Sequence, residues 1–573
     1  MKCKMLAAAI LFSLSAFAQK PKLTWGDEFK LKKGSTDLEV IYADKSGVYL
    51  QEGHLAVKSY FVIGGTVRSS ATLVKLDKNL MELYRNDFNK ELKGKEFEQF
   101  FVIQDRLYVF ATDYDKKEAR IDLYAAELDK NSGEMTGSWN LVSGFTKDSK
   151  KDEVNFKIDF SADSTHIIII STIAGREKNE YTVSEFDKAL KPIGKPVKIS
   201  NEFDPKTFQL QDVLFTNNRK IILVGRVYEY QEGKKKKEKF LEFANYNIRL
   251  YDEKGNQQKE INTNINGRWL NSTRLVQEKN NDLVLAAFYS NTKKGRTTDG
   301  MLVQRINPVT GDVISTSEKN IDYSMLGSEG DAANDEADEN ETKAERKERE
   351  SLEKMKDEGE AFSRYMRFQR IFYTPDNGLV MVAEKVHAYS YIRQTTRGGT
   401  GTTPMQTTMT YYTVYEYGDL LLFKVDAGGN IGWLRVLPKA QREMIQERMY
   451  SGFVYAGYFD AVNRPFYSGF GAMQTENSIQ LLFNDNPKNA TITQPGSKVK
   501  MATNFGKSHC FIAEFSLADG RVERRMLFSN SDTPTSMPRM ASVMGRDMYL
   551  VGRDDRVFGK TKIAVAKISW TVK

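Results

Sequence analysis

The sequence predicts an all-β fold: a single eight-bladed β-propeller, with seven blades as the alternative. Three observations point there. A strand–turn–strand unit recurs along the chain, a continuous apolar strand precedes each copy, and a spare extended segment lies near the N-terminus.

The recurring unit is plainest in "LLFKVDAGGNIGWLRVLPK" (421–439). Loose copies lie at 72–84, 122–139, 182–194, 248–261, 302–315 and 511–526, and 563–570 carries the first run alone. Each copy is a run of β-formers, a turn of Asp, Asn or Gly, and a second extended run. Asp and Asn suit the turn because they cap their own backbone, and Gly because it takes positive φ without strain. The preceding strands, such as "STHIIIIST" (164–172) and "NDLVLAAF" (281–288), are apolar throughout, as strands buried on both faces are. One more extended run, such as "FEQFFVIQ" (97–104), precedes most of them. Units of roughly four strands with apolar inner and polar outer members are the pattern of propeller blades. The last unit has three strands. Residues 21–33 supply a fourth, so an N-terminal strand is expected to complete the final blade and close the ring.

The first 18 residues read as a signal peptide: Lys2 and Lys4, an apolar run from Met5 to Leu14, then Ala16-Phe17-Ala18. An exported protein, periplasmic or extracellular, is expected, with the propeller over 19–573. No segment approaches the roughly 20 apolar residues of a membrane helix. Cleavage removes Cys3 and leaves Cys510 alone, so a buried core rather than a disulfide has to hold the fold. The formal net charge of +8 is mildly basic and selects no partner by itself. Residues 328–360 form an acidic insertion with 14 acidic and 6 basic residues, expected to be disordered at first and helical from Thr342.

"YAAELDKNSGEMTGSW" (124–139) resembles the repeat of quinoprotein-type propellers, where a strand ending in Leu-Asp meets a Thr-Gly turn and then a Trp. Trp139 and Trp433 fit that place. "FNDNPKN" (483–489) and "WLRVLPKAQ" (433–441) resemble segments of secreted bacterial propeller proteins of unknown function. The resemblance implies the fold. Quinoprotein dehydrogenases set paired cysteines beside their cofactor, and this chain has no such pair, so no cofactor is expected.

In a propeller the turns between first and second and between third and fourth strands share one face. The second-to-third loops and the links between blades share the other. Nearly every long segment of this chain falls on the latter, and loops on a rigid scaffold are where binding residues concentrate. The candidate ligand-binding residues there are Lys234, Lys235, Arg296, Arg393, Lys498 and Lys500 as a basic rim, Tyr391, Tyr411 and Tyr412 as stacking platforms, and Asp485 with Asn486 at a strand end. The turn aspartates Asp77, Asp129, Asp187, Asp252 and Asp426 are expected to cap turns. The four histidines are scattered and no Cys/His cluster exists, so no metal site is expected. No P-loop, nucleophile elbow or nucleic-acid-binding pattern appears. The expected function is a non-catalytic, monomeric binding or scaffolding module for a protein, a glycan or another anionic ligand. The alternative is a glycan- or peptide-processing enzyme with carboxylates at the central funnel.

Overall fold

The computed structural model describes residues 21–570 except 32–34, 61–63, 150–151, 162–163, 217–218, 233–238, 264–267, 279–281, 292–297, 322–365, 398–405, 447–464 and 555–560. The expected signal peptide (1–18) and acidic insertion (328–360) lie outside the described residues. The fold is an all-β propeller, with no α-helix among the described residues.

The described strands form eight sheets. Seven are built from strands consecutive in the chain: 35–87, 96–146, 153–198, 208–263, 269–320, 366–446 and 471–529, here sheets one to seven. Sheet eight joins the two ends of the chain. In it Lys562–Ser569 pairs with Asp547–Asp554 on one side and with Lys22–Trp25 and Phe29–Lys30 on the other. Trp25 packs edge-on to Phe528 with ring centroids 5.5 Å apart, and Glu28 meets Lys562 at 2.6 Å. The closing strand is thus where the sequence placed it.

Apolar side chains on both faces of the central strands pack sheet against sheet. Met473, Leu482 and Ile512 of sheet seven meet Met548, Leu550 and Ile568 of sheet eight. Val551 and Val565 of sheet eight meet Leu50 and Val74 of sheet one. Matching clusters join every other neighbouring pair. Each such buried side chain contributes about 1.5–3 kcal/mol of transfer free energy, so the core holds the described sheets without a disulfide among them. First strands of neighbouring sheets touch, as Trp269–Gln277 touches Met366–Tyr373, so they line the central axis.

One face carries tight turns. Asp77, Asp129, Asp187, Asp252 and Asp426 each accept two backbone N–H bonds from residues two to four ahead, as capping requires. The other face carries long second-to-third hairpins. Gly47–Tyr60 pairs with Gly64–Leu76, Ile221–Glu232 with Lys239–Tyr251, and Leu379–Arg397 with Gln406–Val425. An extra strand, Gln441–Gln446, adds to the outer side of Gln406–Val425. The segment carrying Tyr391, Tyr411 and Tyr412, expected among the long loops, is therefore mostly part of a three-stranded sheet standing above sheet six.

Candidate functional site

The first strand of sheet six, Met366–Tyr373, is bulged between Phe368 and Arg370. A bulge resets strand alternation, so residues three apart can share a face. Arg367, Arg370 and Tyr373 are the exposed positions of this strand, while Phe368 and Ile371 pack into the core between sheets five and six.

Other guanidiniums converge on these two. Arg370 is drawn below the usual arginine range, chiefly by desolvation and then by the positive charges of Arg539 and Arg274. Arg367 is lowered likewise by desolvation and by Arg226. Arg370 is thus within electrostatic reach of Arg274 on sheet five and of Arg539 in the turn Pro538–Met540, and Arg367 of Arg226 on sheet four. Two phenols belong to the group: Arg226 donates to Tyr246 at 3.0 Å, and Arg539 donates to Tyr417. Burial raises both phenols, Tyr417 to about 12. A buried carboxylate, Glu384, is matched by fully buried Lys439 at 2.8 Å. Glu384 is also within electrostatic reach of Arg370 and Arg539, and Glu278 lines the same cavity as Arg274.

Arg274 also lines a cavity of about 470 Å³ toward the tight-turn end of the axis, with Lys157, Asp159, Phe160, Gln277 and Tyr373. Tyr373 is oriented there by donating to the Gln277 carbonyl at 2.7 Å. Sheet two presents acids instead. Glu96 and Glu98 lie on its first strand, and burial raises both, Glu98 to about 7 with a further push from Glu96.

No family model matches this sequence, and no curated protein matches it. Several solved structures match, one of them a β-propeller domain. The β-propeller domain of the trilobed protease from Pyrococcus furiosus is 10% identical, with 90% of this chain and 98% of that one covered and a TM-score of 0.29. A Bombyx mori β-fructofuranosidase is 10% identical, covering 92% and 98%, with a TM-score of 0.27. A Penicillium chrysogenum α-L-arabinanase is 7% identical, covering 53% and 98%, with a TM-score of 0.26. At such scores the likeness bears on no activity. The two tryptophans behind the quinoprotein resemblance also differ in their contacts. Trp433 donates across to the Leu517 carbonyl of the next sheet, whereas Trp139 donates to Glu91 in the lead-in to its own sheet.

The residues singled out in the sequence scatter. Lys234, Lys235 and Arg296 lie outside the described residues. Lys498 and Lys500 are exposed, and the Lys500 backbone is clamped by both ends of the Asn489 amide at 2.7 and 2.8 Å. Arg393 is exposed on the tall hairpin. Tyr391 is buried, stacked on Tyr412 with centroids 5.3 Å apart, and donates to the Met444 sulfur at 3.0 Å. Tyr411 belongs to the same hairpin strand. Asp485, expected at the rim, is fully buried. It meets Arg524 at 2.7 Å, and Arg524 in turn lies 4.3 Å over the Phe511 ring. Asp485 also accepts from the Asn489 amide at 2.9 Å, so it anchors the base of the 486–508 loop. Asn486 caps the short helical turn that follows.

Proposed function

We propose that this protein is an exported, non-catalytic and monomeric binding propeller, and that its eight sheets act as eight blades around an anion-binding channel. Export rests on the Lys–apolar–Ala-x-Ala pattern of the first 18 residues. A binding role is carried by the arginine cluster of Arg226, Arg274, Arg367, Arg370 and Arg539. Planar guanidinium forks match carboxylate or phosphate oxygens bidentately, which suits an anionic ligand. Arg226 and Arg367 lie toward the long hairpins, so the ligand enters from the elaborated face.

Inorganic pyrophosphate is the first probe. Calorimetric titration should give salt-sensitive binding, weakened about tenfold by Arg370→Ala. Arg521→Ala is the control, because that arginine pairs with Asp519 at an exposed tight turn. Equal binding by both variants would reject the reading. The enzymatic alternative draws support from Glu98 alone, a carboxyl poised near 7 beside Glu96.

A further inference from the structure

We propose that the outer edge of Gln441–Gln446 receives an extended, basic peptide as one more strand of the sheet above sheet six. This is independent of the channel reading and concerns a different surface.

Gln441–Gln446 pairs with Gln406–Val425 along one side, with Val414 opposite Met444 and Glu416 opposite Arg442. Its orientation follows from two bonds: Arg442 donates to the Ala502 carbonyl at 3.0 Å, and Ala502 donates to the Ala440 carbonyl at 2.9 Å. The even-numbered residues therefore turn their backbone groups away from the sheet, and by alternation Met444 does so too. The parallel partner supplies a single bridge, Gln441 with Ala502, and leaves at Asn504 for the helical turn Phe505–Lys507. Beyond it the outward N–H and C=O of Met444 meet no partner among the described residues. An open strand edge of this kind is a template for strand addition.

Space and charge define the occupant. A cavity of about 1100 Å³ lies along this edge, and Arg442, Glu443, Met444 and Ile445 line it in succession. Its walls carry the carboxylates of Glu28, Glu443, Asp532 and Asp554 and the guanidinium of Arg442, with Glu28 bound to Lys562 at 2.6 Å. That guanidinium, Arg442, is turned to Glu416 at 2.9 Å. Glu443 is held by the N–H groups of Phe466, Tyr467 and Ser468 at 2.7 to 2.9 Å, which fixes the groove floor. Asp532 is exposed at the rim. Main-chain pairing supplies affinity, and the acidic wall selects lysine or arginine on alternate positions.

The probe is an end-blocked, fluorescein-labelled octapeptide of alternating lysine and valine, titrated into the full chain by anisotropy with hydrogen exchange in parallel. Binding with slowed exchange at the Met444 amide is expected. The same peptide N-methylated at every second residue should bind about tenfold more weakly, as should a glutamate–valine analogue. Met444→Pro removes the outward N–H and should cost a similar factor, whereas Met444→Ala, which loses the same sulfur contact to Tyr391 but keeps that N–H, should not; the melting temperature confirms the fold of both. Absent binding overturns the proposal. So does equal affinity for the N-methylated or the acidic peptide, or unchanged affinity in a folded Met444→Pro variant.

Discussion

Glu98 shows how one side chain couples stability to pH. Its carboxyl accepts from the Thr112 hydroxyl at 2.8 Å, which favours ionisation, yet burial and the neighbouring Glu96 outweigh that bond and raise it to about 7. A carboxyl raised on folding contributes stability that is fully present below its unfolded value, near 4.3, and is lost as the pH climbs through the folded value. The window is therefore about pH 4 to 8, and the loss is on the order of 2 kcal/mol for a half-buried group. Glu98→Gln is expected to match the parent in urea midpoint at pH 4 and to exceed it by about 1–2 kcal/mol at pH 8. Parallel curves at both pH values would contradict this. The arginine cluster at the same scale was not legible in the chain. Arg367 and Arg370 are three apart, and in a regular strand they would face opposite ways. The bulge after Phe368 turns both outward, and no local pattern in "MRFQRIFY" announces it.

Among the elements, the hairpin carrying Trp433 was the most legible, because Asp426, the glycines and Asn430 together specify one turn chemistry. What that hairpin docks against was not legible. Trp433 is buried in the core shared by sheets six and seven and donates to the Leu517 carbonyl at 3.3 Å. Gly520 makes room for it: φ is +70°, and a Cβ there would sit 2.7 Å from the indole. Trp433→Ala should lower stability by about 3–5 kcal/mol in denaturant titrations. Trp139 is only half-buried, and Trp139→Ala should cost about 1 kcal/mol. Equal losses would mean that the two repeats use their indoles alike. Tyr391 of the tall hairpin is covered rather than open for a related reason. Alternation marks which residues share a face, but only the stacking of Tyr391 on Tyr412 and the added strand Gln441–Gln446 decide that this face is covered.

For the whole molecule, closure depends on a pairing between residues more than five hundred positions apart in the chain, as Lys22 with Ser569. It was legible because both halves of the signal are local: a final unit one strand short, and an extended segment without a partner nearby. Lys22–Trp25 hydrogen-bonds along the outer edge of Lys562–Ser569, and Leu23 and Trp25 pack against the core between sheets seven and eight. Removing residues 21–31 exposes that edge and uncovers Phe528, while the pairing of Asp547–Asp554 with Lys562–Ser569 survives. The propeller should then stay folded at a lower melting temperature and self-associate through the bared strand, because an open, apolar edge recruits any available strand. Light scattering on the separated species would report the association. A synthetic peptide of residues 20–31 should return the truncated chain to monomer, since it restores the missing pairs and the indole contact. A truncated chain that remains monomeric with an unchanged melting temperature would show that the ring is held shut by the sheet-to-sheet cores alone.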